Sequence, residues 1–345
     1  MQDALFPDEP HEPESLSKAT PPRRRGTGVL PHAPDDAMVE LARALPERLR
    51  LGGSSWSYPG WAGLVWDGEY SESKLARQGL TAYAQHPLFR SVCIDRSFYS
   101  ALTTSHYASY AAQVPENFRF VVKAPLAVTD ATVRTEKGRA LQPNPLFLDP
   151  DLAVREFVQP ALDGLGSKLG ALVFQLSPLP LPMLADLPGV MERLRAMLQV
   201  LPSLAPTAPD GVVAVEVRDR EFLTPVFAQL LRECKATYCL GLQAKMPLIQ
   251  EQLPMLRALW PSPLVCRWNL SPMHGPYGYE NAEKRYAPFD KIVDPDPDTR
   301  EALARVIAGT TGAGQNAFVT ISNQAEGCAP LSAALLAEAV LALRR

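Results

Sequence analysis

Apolar runs of strand length that close on a polar or charged residue recur along this chain, with helically patterned segments between them. The clearest covers residues 212–219 and reads Val-Val-Ala-Val-Glu-Val-Arg-Asp. Its β-branched first half is of the kind buried in a parallel sheet, and the two-residue repeat of a strand then puts Glu216 and Arg218 on one face. Ionised groups are costly to desolvate unless paired or placed at a mouth, so a strand that turns charged only at its C-terminal end marks the rim of a site. Runs at 119–123, 171–175, 264–267 and 317–323 finish the same way, and 49–56, 90–95 and 236–241 complete a set of eight predicted strands.

Helical spacing is found at 38–45, 72–86, 104–114, 151–165, 183–201, 222–234, 251–260, 298–308 and 331–343. Residues 129–150 and 270–295, after the third and seventh strands, read as long loops. Strands alternating with helices in this way predict an α/β fold, a TIM-like (β/α)8 barrel of parallel strands, with both insertions over its C-terminal mouth. An open doubly wound sheet is the alternative, and the chain lacks the Gly-x-Gly-x-x-Gly turn of that fold. Residues 1–36 are rich in proline and charge and include Arg23, Arg24 and Arg25. Such a segment cannot bury enough apolar surface to offset its ordering entropy, so it is predicted to be a disordered tail ahead of a single barrel domain at 37–345. The arginine triplet reads as a solvated charge cluster, with phosphate contact as the alternative.

Charge narrows the choice of partner. Lys and Arg number 34 against 37 Asp and Glu, a net charge of −3, so no basic excess recommends nucleic acid. The five cysteines include no Cys-x-x-Cys pair and three lie in apolar runs, which predicts a reducing compartment, the cytoplasm, and no disulfide framework. Neither a secretory signal nor an apolar stretch of about 18 residues is present, so no membrane association is expected. Oligomeric state leaves no mark in the sequence.

In a barrel the side chains at the strand ends point into the mouth. This mouth would gather Ser54 or Trp56, Asp95, Lys123, Gln175, Glu216, Arg218, Arg267 and Asn323. Two carboxylates beside a lysine and two arginines suit acid–base work on a substrate carrying phosphate or carboxylate. The competing reading is a structural ion network that closes the barrel top. Gly52-Gly-Ser-Ser55 either offers N–H groups to an anion or is an ordinary turn. Trp56, Tyr58, Trp61 and Trp66 would stack on a sugar or base, or pack the core. His274 shares its loop with Tyr277, Tyr279 and Tyr286, as a proton donor on a lid or as part of an aromatic plug. No nucleophile elbow, zincin motif or Walker loop is found, and no cofactor or metal is predicted, although Asp95 and Glu216 leave a carboxylate Mg²⁺ site open.

The motifs Gly53-Ser-Ser-Trp-Ser-Tyr-Pro-Gly-Trp61, Ser97-Phe-Tyr99, Pro115-Glu-Asn-Phe-Arg-Phe-Val-Val-Lys-Ala-Pro125, Lys168-Leu-Gly-Ala-Leu-Val-Phe-Gln-Leu176 and Val215-Glu-Val-Arg218 come in a specific order. In that order they resemble the YecE-like proteins, a family of uncharacterised TIM barrels, over residues 51 to about 335. The resemblance implies the barrel fold and a mouth formed by Lys123, Gln175, Glu216, Arg218 and Arg267. The family's second strand usually reads Val-Glu-Ile-Asn, where this chain has Val92-Cys-Ile-Asp95. Asp130 stands at a usual histidine, Arg267-Trp-Asn-Leu replaces Arg-Leu-His-Gly, and Asn323-Gln324 replaces paired asparagines.

The resulting expectation is an enzyme of hydrolase or isomerase type acting on a small anionic or phosphorylated substrate. Glu216 is assigned as general base or acid, Lys123 as electrostatic stabiliser or Schiff-base amine, and Asp95 as the group that orients a cation. Arg218 and Arg267 form the anion clamp, with Gln175, Asn323, Trp56 and His274 as further binding residues. The alternative is a protein that recognises phosphate groups of nucleic acid or of a partner without chemistry.

Overall fold

The computed structural model describes residues 28–134, 140–275 and 278–343, so the arginine triplet and Tyr277 lie outside the described residues. Among the described residues ten strands are formed: β1 (Leu49–Gly53), β2 (Phe89–Ile94), β3 (Arg119–Lys123), β4 (Thr132–Arg134), β5 (Ala140–Pro143), β6 (Leu169–Gln175), β7 (Val212–Glu216), β8 (Thr237–Leu242), β9 (Leu264–Trp268) and β10 (Ala317–Ile321). Eight close a barrel in the order β1-β10-β9-β8-β7-β6-β3-β2, with every neighbouring pair parallel. The predicted TIM-like barrel is therefore the fold, and its strands are close to those read from the apolar runs.

Both insertions carry structure that the sequence pattern hid. After β3 the chain forms the antiparallel pair β4–β5, opened by Asp130, whose Oδ1 accepts from the Thr132 N–H and hydroxyl at 2.9 Å each. After β9 a helix covers Tyr279–Tyr286, of which only Ala282 and Tyr286 are buried, too narrow a stripe to stand out as a period. The predicted helix at 151–165 is interrupted by a π turn at Val154–Val158. Pro160, two residues after its end, has no N–H to give, so the ladder widens ahead of it. Residues 28–35, expected with the tail, run along the barrel instead: Val29 is buried and the His32 N–H donates to the Val65 carbonyl at 2.8 Å.

The inside of the barrel is layered. Cys93, Val121, Ala171, Val173, Ala214, Cys239, Val265 and Phe318 fill its middle with small or apolar side chains, none more than 1% exposed. Below them, at the N-terminal end, Asp210 takes Arg119 at 2.8 Å and Arg50 at 3.4 Å and accepts from Asn316 Nδ2 at 3.0 Å. Above them lies the mouth. Between β1 and β2 the register shifts at Gly52, where a Cβ would overlap the Ser91 carbonyl. Tyr83 bridges the same seam: its hydroxyl accepts from the Gly53 N–H at 2.6 Å and donates to the Ser91 carbonyl at 3.0 Å.

Candidate active site at the barrel mouth

Strand register brings the predicted charges to one level. Gln175 pairs with Glu216 across β6 and β7, and Gly241 with Arg267 across β8 and β9. Glu216 is fully buried: its Oε2 meets Arg267 Nη1 at 2.6 Å and its Oε1 meets Arg218 Nη2 at 2.7 Å. Gln175 Oε1 accepts from both guanidiniums, at 2.9 Å from Arg267 and 2.8 Å from Arg218. Arg267 also faces Asp95, its Nη2 3.4 Å from each carboxylate oxygen. Gly241 leaves the room this needs, since a Cβ there would come within 3.3 Å of Glu216 Oε1.

Lys123 ends β3 beside this cluster. Its Nζ lies 3.3 Å from the centre of the Phe98 ring, and among the described residues nothing is hydrogen-bonded to it. Burial, only partly offset by Asp95, brings its pKa down to about 8, with Arg267 and Arg218 pushing the same way. The carboxylates move in the other sense. Burial alone would raise Glu216, but Arg218 and Arg267 hold it below the ordinary glutamate value. Asp95 is likewise held low against its burial, by Arg267 and Lys123. The two acids differ in access: the Glu216 side chain is 0% exposed, whereas that of Asp95 is 35% exposed. Five side-chain N–H donors at or just beyond the strand ends, Nε of Arg218, Nε of Arg267, Nε2 of Gln243, Nδ2 of Asn323 and Nε1 of Trp56, are buried without a hydrogen-bond partner among the described residues.

A family model for a protein of unknown function, DUF72, matches residues 50–344 of this chain. The chain belongs to the DUF72 family. The YecE-like resemblance read from the sequence motifs is this same family. Among solved structures, a DUF72 protein of Enterococcus faecalis V583 superposes with a TM-score of 0.54 at 17% identity, over 85% of this chain and 95% of that one. A second, from Thermotoga maritima MSB8, gives 0.52 at 17% identity over 86% and 99%. A monooxygenase of Streptomyces bottropensis gives 0.42 at 14% identity, a likeness that carries no argument about activity. No curated protein matches in sequence.

Within this DUF72 barrel, the predicted residues Asp95, Lys123, Gln175, Glu216, Arg218 and Arg267 form one cluster, and the contacts of three others lie outside it. Asn323 is fully buried: its Oδ1 accepts from Trp61 Nε1 at 3.2 Å and from the Ala329 N–H at 2.8 Å, while its Nδ2 has no partner among the described residues. Trp56 is buried edge-on against Tyr110, with ring centres 5.5 Å apart. His274 is engaged within the insertion after β9, its Nε2 2.6 Å from the Tyr286 hydroxyl. From that insertion it is Tyr279 that comes near the cluster, close enough to Arg218 to favour its charged form. The turn after β1 offers no free N–H pair, because Gly53 donates to Tyr83 and Ser54 to the Ile321 carbonyl. The open Mg²⁺ reading does not fit either: both Glu216 oxygens face guanidiniums, and among the described residues no three metal-ligating side chains converge.

Two residues read from the sequence only as departures from the family pattern join the cluster: Asn269, whose Nδ2 lies 3.5 Å from Glu216 Oε1, and Cys93, whose thiol donates to Asp95 Oδ1 at 2.9 Å. The two-residue repeat from Arg267 and from Asp95 would have found both. Phe98 had no such signal beyond its place in the Ser97-Phe-Tyr99 motif.

Proposed function

We propose that this DUF72 protein is an enzyme that carries out acid–base chemistry on a small anionic substrate at the C-terminal mouth of its barrel. The observation that carries the reading is the composition of the cluster: Lys123, Arg218 and Arg267 meet only the two carboxylates Asp95 and Glu216 in a largely buried setting. An uncompensated positive charge with unused N–H donors is complementary to one phosphate or carboxylate. Glu216, claimed at both oxygens, is a positioning residue that fixes the two guanidiniums. The acid–base pair is Lys123, a buried amine brought near neutral pH, and Asp95, the more exposed carboxylate, ionised at the same level of the barrel. Such a pair suits proton transfer of the isomerase type better than hydrolysis. The five free cysteines support a reducing, cytoplasmic location.

A thermal-shift screen with sugar phosphates and sugar acids tests the reading, run on wild type beside Arg218→Met. One class is expected to raise the wild-type melting temperature and to lose that effect in the variant. No shift in wild type with any anion would overturn it. A shift without turnover of the stabilising compound would favour the non-catalytic phosphate-recognition reading instead.

A further inference from the structure

Lys123 differs from the other cations of the mouth. Arg218 and Arg267 are each hydrogen-bonded to Gln175 and ion-paired to Glu216. The Lys123 ammonium has an aromatic face at 3.3 Å and no hydrogen-bond acceptor among the described residues. An anion clamp would gain more from a hydrogen-bonded, permanently charged group. An amine in an apolar niche beside other cations is instead the arrangement that frees a nitrogen lone pair. The β2–β3 register pairs Ile94 with Val122, which puts Asp95, the more exposed carboxylate, at the level of Lys123.

We infer that Lys123 forms an imine with the carbonyl carbon of an aldehyde or ketone that also bears a carboxylate or phosphate, a substrate class that rests on the anion-site reading above. The step balances with solvent as source and sink of the proton. The ammonium gives up one proton to solvent, and the freed nitrogen lone pair forms a bond to the carbonyl carbon while the π pair of the C=O bond moves to oxygen. A second proton passes from nitrogen to that oxygen to give the carbinolamine. A proton from solvent then reaches the hydroxyl, the C–O bond breaks, and the oxygen leaves as water while the nitrogen lone pair closes the protonated C=N bond, with the ionised Asp95 at the same level to face the positive charge. The depressed basicity of Lys123 supports this assignment, since half of the amine is already free at about pH 8. Gln175 and Glu216 keep Arg218 and Arg267 in place to receive the anionic end, with Tyr279 beside Arg218.

Reductive trapping tests it. The full chain is incubated at pH 7 with pyruvate or with glyceraldehyde 3-phosphate, reduced with sodium borohydride and mapped by peptide mass spectrometry, beside Lys123→Arg and Lys123→Met. In parallel, glycerol 3-phosphate, which has no carbonyl, is tested for thermal stabilisation. The expected result is one reduced adduct on the peptide holding Lys123, lost in both variants and suppressed by glycerol 3-phosphate. Stabilisation by glycerol 3-phosphate without an adduct on Lys123 would overturn the imine and leave the anion site standing. An adduct on Lys123 that glycerol 3-phosphate neither suppresses nor accompanies with stabilisation would support the amine and remove the clamp. Adducts spread over surface lysines, with no stabilisation, would sink both.

Discussion

Arg267 Nη1 stands 2.6 Å from Glu216 Oε2, and neither side chain is more than 3% exposed. Removing one member of a buried pair leaves the other charged and unsatisfied, which costs about 3–5 kcal/mol, whereas removing both costs much less than the sum. Glu216→Gln and Arg267→Met are each expected to lower the urea midpoint by that order, and the double variant to recover part of the loss. Additive effects in the double-mutant cycle would show that the two side chains do not act as a pair.

Lys123 predicts the opposite sign. Its pKa is about 8 in the folded chain against an ordinary 10.5, so the unfolded state binds more protons between those values. Stability from this group is therefore lowest below pH 8 and rises as pH climbs towards 10.5, by on the order of 3 kcal/mol. Lys123→Met is expected to melt above wild type at pH 7 and to converge with it near pH 10.5. The difference between the two melting curves is the measurement, because it cancels the tyrosines that titrate in the same range. A variant that melts below wild type at pH 7 would mean that the ammonium stabilises the fold.

Asn323 separates structure from function. Its amide oxygen holds both the Trp61 indole and the Ala329 N–H, so Asn323→Ala leaves two buried donors without an acceptor. The expected cost is about 1–3 kcal/mol in chemical denaturation, with the midpoint of any anion-binding titration unchanged. A change in binding with stability intact would return Asn323 to the site.

That residue also shows where the sequence could be read and where it could not. The period of two brought Asp95, Lys123, Gln175, Glu216 and Arg267 to one level because each lies at or next to a strand end on the inward set. In β10 the inward set contains Phe318 and, level with Arg267, Thr320. Asn323 is three residues further on and so falls on the other set, beyond the strand and inside a short 3-10 turn. His274 and Tyr279 lie in an insertion without an apolar period, and only the packed chain decides which of them comes near Arg218. The Phe98 ring over Lys123 joins a residue just past β2 to the end of β3, a contact that no spacing along one strand encodes.

Gly52 gives a sharper structural test. The seam between β1 and β2 has no space for a Cβ at this position, and the obstacle is backbone rather than a flexible side chain. Gly52→Ala is expected to cost at least about 3 kcal/mol, or to prevent folding. Thermal melting of the purified variant checks it, and a melting point within a few degrees of wild type would place the strands further apart than described.

The apolar layer from Cys93 to Phe318 also fixes the traffic through this molecule. With every member at most 1% exposed, this layer stands between the mouth and the Asp210 cluster beneath. A ligand of the proposed anion site would be approached from the mouth alone. A product that kept its anionic group would then compete with the next substrate for the same two arginines, making its release the natural place for inhibition.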